Sequence, residues 1–144
     1  NGKSPVAYSL DQVTKTLNKD ENNLVFLIVD SVDDCNGDVK RIITESKRNN
    51  LVKKVNLATY FANEDANIYY KDAIESNQGI FSQNPNLREF ISVNAKNFIK
   101  ENWCKNDGIN KIKTCIENKY KAANSYLNDQ KNNRNIEKLL NINL

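Results

Sequence analysis

Cys104 and Cys115 flank Asp107-Gly108, a turn signal set between two stretches of helical periodicity. Ten residues lie between the two thiols. That is enough for a tight hairpin to bring the Cα atoms within the roughly 4.4–6.8 Å that a disulfide requires. A bond here staples two helices at one end, and such bonds persist mainly outside the reducing cytosol. The alternative is a pair of buried thiols acting as small hydrophobes, since Cys115 borders the apolar stripe that carries Ile116. With no histidine in the chain and no C-x-x-C pair, three cysteines do not make a zinc site, and neither a metal nor a cofactor is expected.

The helical signals run along most of the chain. Ser9 can cap a short helix over 10–18. Asp38 can cap one that turns Val39, Ile42 and Ile43 inward. Residues 51–62 place Leu51, Val52, Val55, Ala58, Thr59 and Ala62 on one stripe, and Asn63 caps a further run ended by Gln78-Gly79. Phe81 to Gln83 reads as a loop, and Asn84-Pro85 as the start of a helix reaching Trp103. Ile109, Ile112, Ile116, Tyr120, Ala123 and Leu127 then recur at steps of three and four, and a last short helix covers 134–141.

Leu24-Val-Phe-Leu-Ile-Val29 fits two structures. Its β-branched content suits a buried strand. Leu24, Leu27, Ile28, Val32 and Cys35 also share one helical face, which favours a buried helix over 22–34. The expected fold is therefore mainly α: a compact single-domain bundle of about six to eight helices over residues 8–144, behind a tether at 1–7, with a disulfide-stapled C-terminal hairpin. The alternative is an α/β fold with one or more strands around 24–29.

Composition excludes more than it identifies. The net charge of +3 is too small to point to nucleic acid, although residues 96–144 carry 10 basic against 5 acidic side chains. The absence of histidine removes the commonest general base. Cys35 has Asp33 and Asp34 beside it, which raise a thiol pKa rather than lower it, so core or capping use is expected. Asp30, Asp33, Asp34, Asn36 and Asp38 lack the order and closing Glu of a calcium loop. Tyr60, Phe61, Tyr69 and Tyr70 have acidic neighbours, which fits core packing or a protein interface better than base stacking. No apolar run approaches the roughly 18 residues of a membrane span. The polar start Asn1-Gly-Lys-Ser-Pro5 resembles that of a mature bacterial lipoprotein just past its lipidated cysteine, so a membrane tether through a residue before Asn1 is expected.

Cys115, Tyr120, Ala123, Asn124, Leu127 and Asn128 resemble a helix of the LprI-like lysozyme-inhibitor group of small periplasmic or lipid-anchored bacterial proteins. Asn124 stands where that pattern has Asp, and the Tyr after Leu-Asn is missing. The resemblance covers Cys115–Asn128 alone and implies an extracytoplasmic binding or inhibitory protein. Leu24 to Val29 followed by Cys35 and a helix also resembles the start of a thioredoxin-like fold, but Asp38 occupies the second redox position, so oxidoreductase chemistry is not expected.

These features together point to a non-enzymatic, extracytoplasmic module that binds another protein of acidic surface, as an inhibitor, immunity, exclusion or secretion-system accessory protein does. Lys105, Lys111, Lys113, Lys119 and Lys121 are its expected partner-binding residues. The alternatives are a carboxylate-based hydrolase, which needs two converging acidic side chains in a pocket, and a nucleic-acid-binding domain using the basic C-terminal half.

Overall fold

A computed structural model describes residues 5–30, 38–122, 124–129 and 138–143, with side chains described from Val6 to Ala122 within those ranges. Its centre is a five-stranded sheet. Leu24–Val29 forms β1, Lys54–Thr59 forms β2 and Phe81–Gln83 forms β3, all parallel, with Val39–Arg48 (α2) and Glu64–Glu75 (α3) as the crossovers. Pro5–Thr14 (α1) precedes β1. After β3 come Leu87–Ile99 (α4), a π-helical turn at Lys100–Cys104, Ile109–Ala122 (α5), and then Asn124–Asp129 (β4) and Lys138–Asn143 (β5). The strand order is β3-β2-β1-β5-β4, with β5 antiparallel to both β1 and β4.

The mainly α bundle of six to eight helices is thus overturned, and the α/β alternative is the fold. The decisive stretch is β1. Its six residues are all buried because both faces of the sheet are covered. Val25, Leu27 and Val29 meet α1, α2 and α3, while Leu24, Phe26 and Ile28 meet Phe90, Ala95 and Phe98 of α4. A strand buried on both sides loses its polar alternation and reads as one apolar run. Helix and strand cannot be told apart from such a run by periodicity.

Five further expectations are corrected. Residues 51–62 hold β2 rather than a helix, and Phe81–Gln83 is a strand rather than a loop. The long C-terminal helix stops at Ala122, so Leu127 lies in β4. Of the last helix expected over 134–141, residues 138–141 lie in β5 and 134–137 lie outside the described residues. At the other end, α1 starts at Pro5, with Val6 fully buried, rather than beyond a tether reaching residue 7.

The helix starts follow the sequence more closely. The Asp38 carboxylate accepts from the Arg41 amide at 2.9 Å and the Asn63 side chain from the Ala66 amide at 2.8 Å, each satisfying one of the free amides of a first turn. Before α4 the capping residue is Asn86, whose side-chain oxygen accepts from the Glu89 amide at 3.0 Å, while Asn84 adopts a positive φ of 50°.

The π turn has a packing consequence. A five-residue step in an α-helix rotates about 140°, which separates residues 98 and 103. The wider π turn brings them to the same side, and the Phe98 and Trp103 rings meet edge to face at 5.8 Å. It also ends on the fully buried Cys104, which is bonded to Cys115 of α5.

That bond is the disulfide expected from the sequence. A closed loop of this length stabilises by about 2.8 kcal/mol in the chain-entropy model. Alkylation of unreduced, denatured protein should add one label per chain, on Cys35, and alkylation after reduction three. Peptide mapping should recover Cys104 linked to Cys115. The reduced form should melt roughly 5–10 °C lower by calorimetry.

Candidate functional site

Ligands of open α/β sheets collect at the carboxyl ends of parallel strands, where the chain leaves the sheet. Here those ends are Val29, Thr59 and Gln83. The segment after β1, which includes Asp33, Asp34 and Cys35, lies outside the described residues. Asp30 and Asp38 on either side of it are exposed, and Asp38 is engaged as a helix cap.

The segment after β2 is held firmly. The Thr59 hydroxyl donates to the side-chain oxygen of buried Asn67 on α3. The Asn67 amide nitrogen donates to the Phe61 carbonyl at 3.1 Å and the Asn63 carbonyl at 3.0 Å. One side chain therefore ties the end of β2, the following loop and the start of α3 together. Both of its amide hydrogens are used, leaving none for a ligand.

A groove of about 770 Å³ runs alongside, bounded by Phe61 and Ala62, by Glu64, Asn67, Ile68, Lys71 and Glu75 of α3, and by Phe81 to Asn84. Its carboxylates do not converge. Glu64 and Glu75 are eleven residues apart on one helix, a rise of roughly 16 Å. Paired glycosidase carboxylates stand about 5–9.5 Å apart. At the amino end of the strands, a second hollow of about 590 Å³ places Lys19, Lys47 and Lys53 beside Asp20 and Glu21.

The four aromatics read as one patch divide between the two faces of the sheet. Phe61, Tyr69 and Tyr70 lie on the α3 side, with Tyr70 5.3 Å from Tyr69 and 6.1 Å from Phe61. The Tyr69 hydroxyl oxygen accepts from the Val39 amide at 2.9 Å. Tyr60 packs on the α4 side, and its hydroxyl donates to the Pro85 carbonyl at 2.7 Å.

Burial pushes the Tyr60 phenol above its ordinary value. The folded chain therefore favours the protonated ring. Its contribution to stability is complete below about pH 10 and is lost as pH rises through the higher folded value. Lys47 acts in the opposite sense. Burial, and then the charge of Lys54, lower its pKa, so its contribution rises with pH toward 10.5. Tyr60→Phe isolates the first effect. It should cost about 1 kcal/mol at neutral pH and flatten the loss of stability above about pH 10, read by urea unfolding.

The five lysines expected to bind a partner are all exposed and make no ion pair among the described residues. Lys105 lies on the turn before α5 and the others on α5 itself. They do not form one flat face. At about 100° per residue, Lys111 and Lys121 point outward, while Lys113 and Lys119 flank the apolar seam of Ile112, Ile116 and Tyr120. No side chain of α5 is fully buried, and Ile109 is 90% exposed. The helix is held to the π-helical turn by the disulfide, and to α4 by the Lys96–Glu117 ion pair at 3.1 Å and by Lys96 over the Tyr120 ring at 5.2 Å. Cys104, Asp107 and Cys115 are close enough to serve one ion, but both sulfurs are spent on each other.

Sequence reasoning missed the groove because one wall, β3, is only three residues long, too short for alternation to register. No described helix is long and apolar enough to cross a membrane. Comparison with protein-family models, with curated proteins and with solved structures finds no match for this chain, so its own residues carry the functional reading.

Proposed function

We propose that this is a non-enzymatic protein-binding module of an oxidising, extracytoplasmic compartment, and that α5 with the turn before it docks against an acidic protein surface. The observation that carries this reading is the exposure of α5. A 14-residue helix with no fully buried side chain contributes little to the core, yet it is covalently fastened to the body. Lys111 and Lys121 along its outer side, with Lys113 and Lys119 on its flanks, make a basic ridge that fits an acidic cleft better than a flat patch. Charge complementarity of this kind mainly sets encounter rate and partner choice. The disulfide supports the compartment, since such bonds are rare in reducing cytosol.

Simultaneous reversal of Lys105, Lys111, Lys113, Lys119 and Lys121 to Glu tests the surface. All five are exposed, so the fold should survive. Affinity capture from an envelope extract at low salt should recover partners with the wild-type chain that are released by 0.5 M salt and absent with the reversed chain. The same partners on both chains would remove α5 as the docking surface.

A further inference from the structure

The groove beside α3 has a property that the basic ridge does not share: its floor ends on an open sheet edge. Among the described residues β3 pairs with β2 alone. The Ile80 carbonyl accepts from the Leu57 amide at 2.9 Å, and the Asn84 amide donates to the Thr59 carbonyl at 2.8 Å. Residues 80 and 84 thus face β2. By the two-residue period of a strand, the amides and carbonyls of Phe81 and Gln83 point away from β2, and both residues line the groove. Opposite this edge stands α3, presenting Glu64, Ile68, Lys71 and Glu75. The three charged side chains make no ion pair among the described residues, and Ile68 is 59% exposed.

We infer that this groove binds an extended peptide segment of another protein by strand addition to β3, with side chains read by α3. Main-chain hydrogen bonds to an exposed edge give such complexes their affinity, and alternate side-chain pockets give selectivity. The dimensions agree. The helix from Glu64 to Glu75 rises roughly 16 Å, the length of about five extended residues. Lys71 and Glu75 are about 6 Å apart along the axis, close to the spacing of same-face side chains two residues apart in a strand. The peptide so defined carries an acidic residue facing Lys71, a basic residue two positions away facing Glu75, and an apolar side chain against Ile68. Four main-chain bonds from two residues make this a weak, exchangeable interaction. The site is separate from α5 and stands whether or not the basic ridge binds a partner.

A displayed library of random heptapeptides, selected on the whole protein and followed by titration of the selected synthetic peptides, tests the inference. Gln83→Pro removes the outward amide without touching the ladder to β2, whereas Gln83→Ala keeps it. Selected peptides should carry the acid–x–base spacing and lose at least tenfold in affinity on Gln83→Pro but not on Gln83→Ala. N-methylation of alternate peptide amides should have the same effect. Lys71→Glu should weaken binding about tenfold, and exchanging the peptide acid for lysine should restore it. Failure to select any peptide, or selected peptides indifferent to both Gln83→Pro and N-methylation, would overturn the inference. So would dimerisation of the wild-type chain abolished by Gln83→Pro, because a second copy would then hold the edge.

Discussion

Replacing Phe26 with alanine is expected to cost about 3–5 kcal/mol, a large share of the stability of a domain this size. Phe26 sits in the middle of β1, fully buried, paired with Asn56 on one side and Leu140 on the other. Its ring meets Phe90 of α4 edge to face at 5.8 Å. Truncation removes the aromatic pair and leaves a void beneath α4 that the flanking strands cannot close without breaking their ladders. The melting temperature should fall roughly 10–15 °C, while Phe26→Leu, nearer in volume, should cost under about 1.5 kcal/mol. Calorimetry on the pair distinguishes lost volume from the lost ring contact. If Phe26→Ala melts within about 3 °C of the wild type, α4 is not seated on β1 as described.

Gly79→Ala should rank close behind, at about 3 kcal/mol. The reason is space rather than backbone freedom, since Gly79 does not have a left-handed φ. A Cβ there would overlap the Val55 carbonyl oxygen and stand 2.7 Å from Ile74 Cγ2. The carbonyl belongs to β2 and cannot move as a flexible side chain would. The turn is also tied at several points. Gln78 takes a φ of 62°, the Gly79 amide donates to the Ile74 carbonyl at 2.9 Å, and Lys47 donates to the Asn77 carbonyl and the Gln78 side-chain oxygen, each at 2.7 Å. Gly108→Ala is the natural control. An added Cβ there meets nothing within 4 Å, so the change should stay within about 0.5 kcal/mol. Equal urea midpoints for the two variants would mean that the α3–β3 connection does not press on β2.

The contrast between these glycines shows what was legible in the chain. Asp107-Gly108 and Gln78-Gly79 both read as punctuation, and both end helical segments. Nothing in the sequence distinguishes the crowded glycine from the open one, because the crowding comes from a strand some 24 residues earlier. Local chemistry was readable in the caps at Asp38 and Asn63 and in the Cys104–Cys115 pair, though not at Ser9, which lies inside α1 rather than capping a helix over 10–18. Strands were not. In β2, Asn56 stands at the centre and is fully buried, with its side-chain oxygen accepting from the Ile80 amide at 2.8 Å. A polar residue there breaks the apolar run that would mark a strand covered on both faces. In β4 and β5, Asn124, Asn128, Asn141 and Asn143 run against strand propensity, and only pairing with the rest of the sheet overrides it. The groove depended on one of these missed strands.

Strand order also sets a schedule for the growing chain. β1 leaves the ribosome well before β5, yet β5 is its second neighbour, with Leu24 opposite Ile142. Until the final strand arrives, Leu24–Val29 keeps one row of main-chain groups unpaired on the most apolar segment of the protein. Such an edge is a template for aggregation. Premature termination anywhere before β5 should therefore yield insoluble fragments rather than a smaller folded core, and holding the nascent chain unfolded until β5 has emerged protects it.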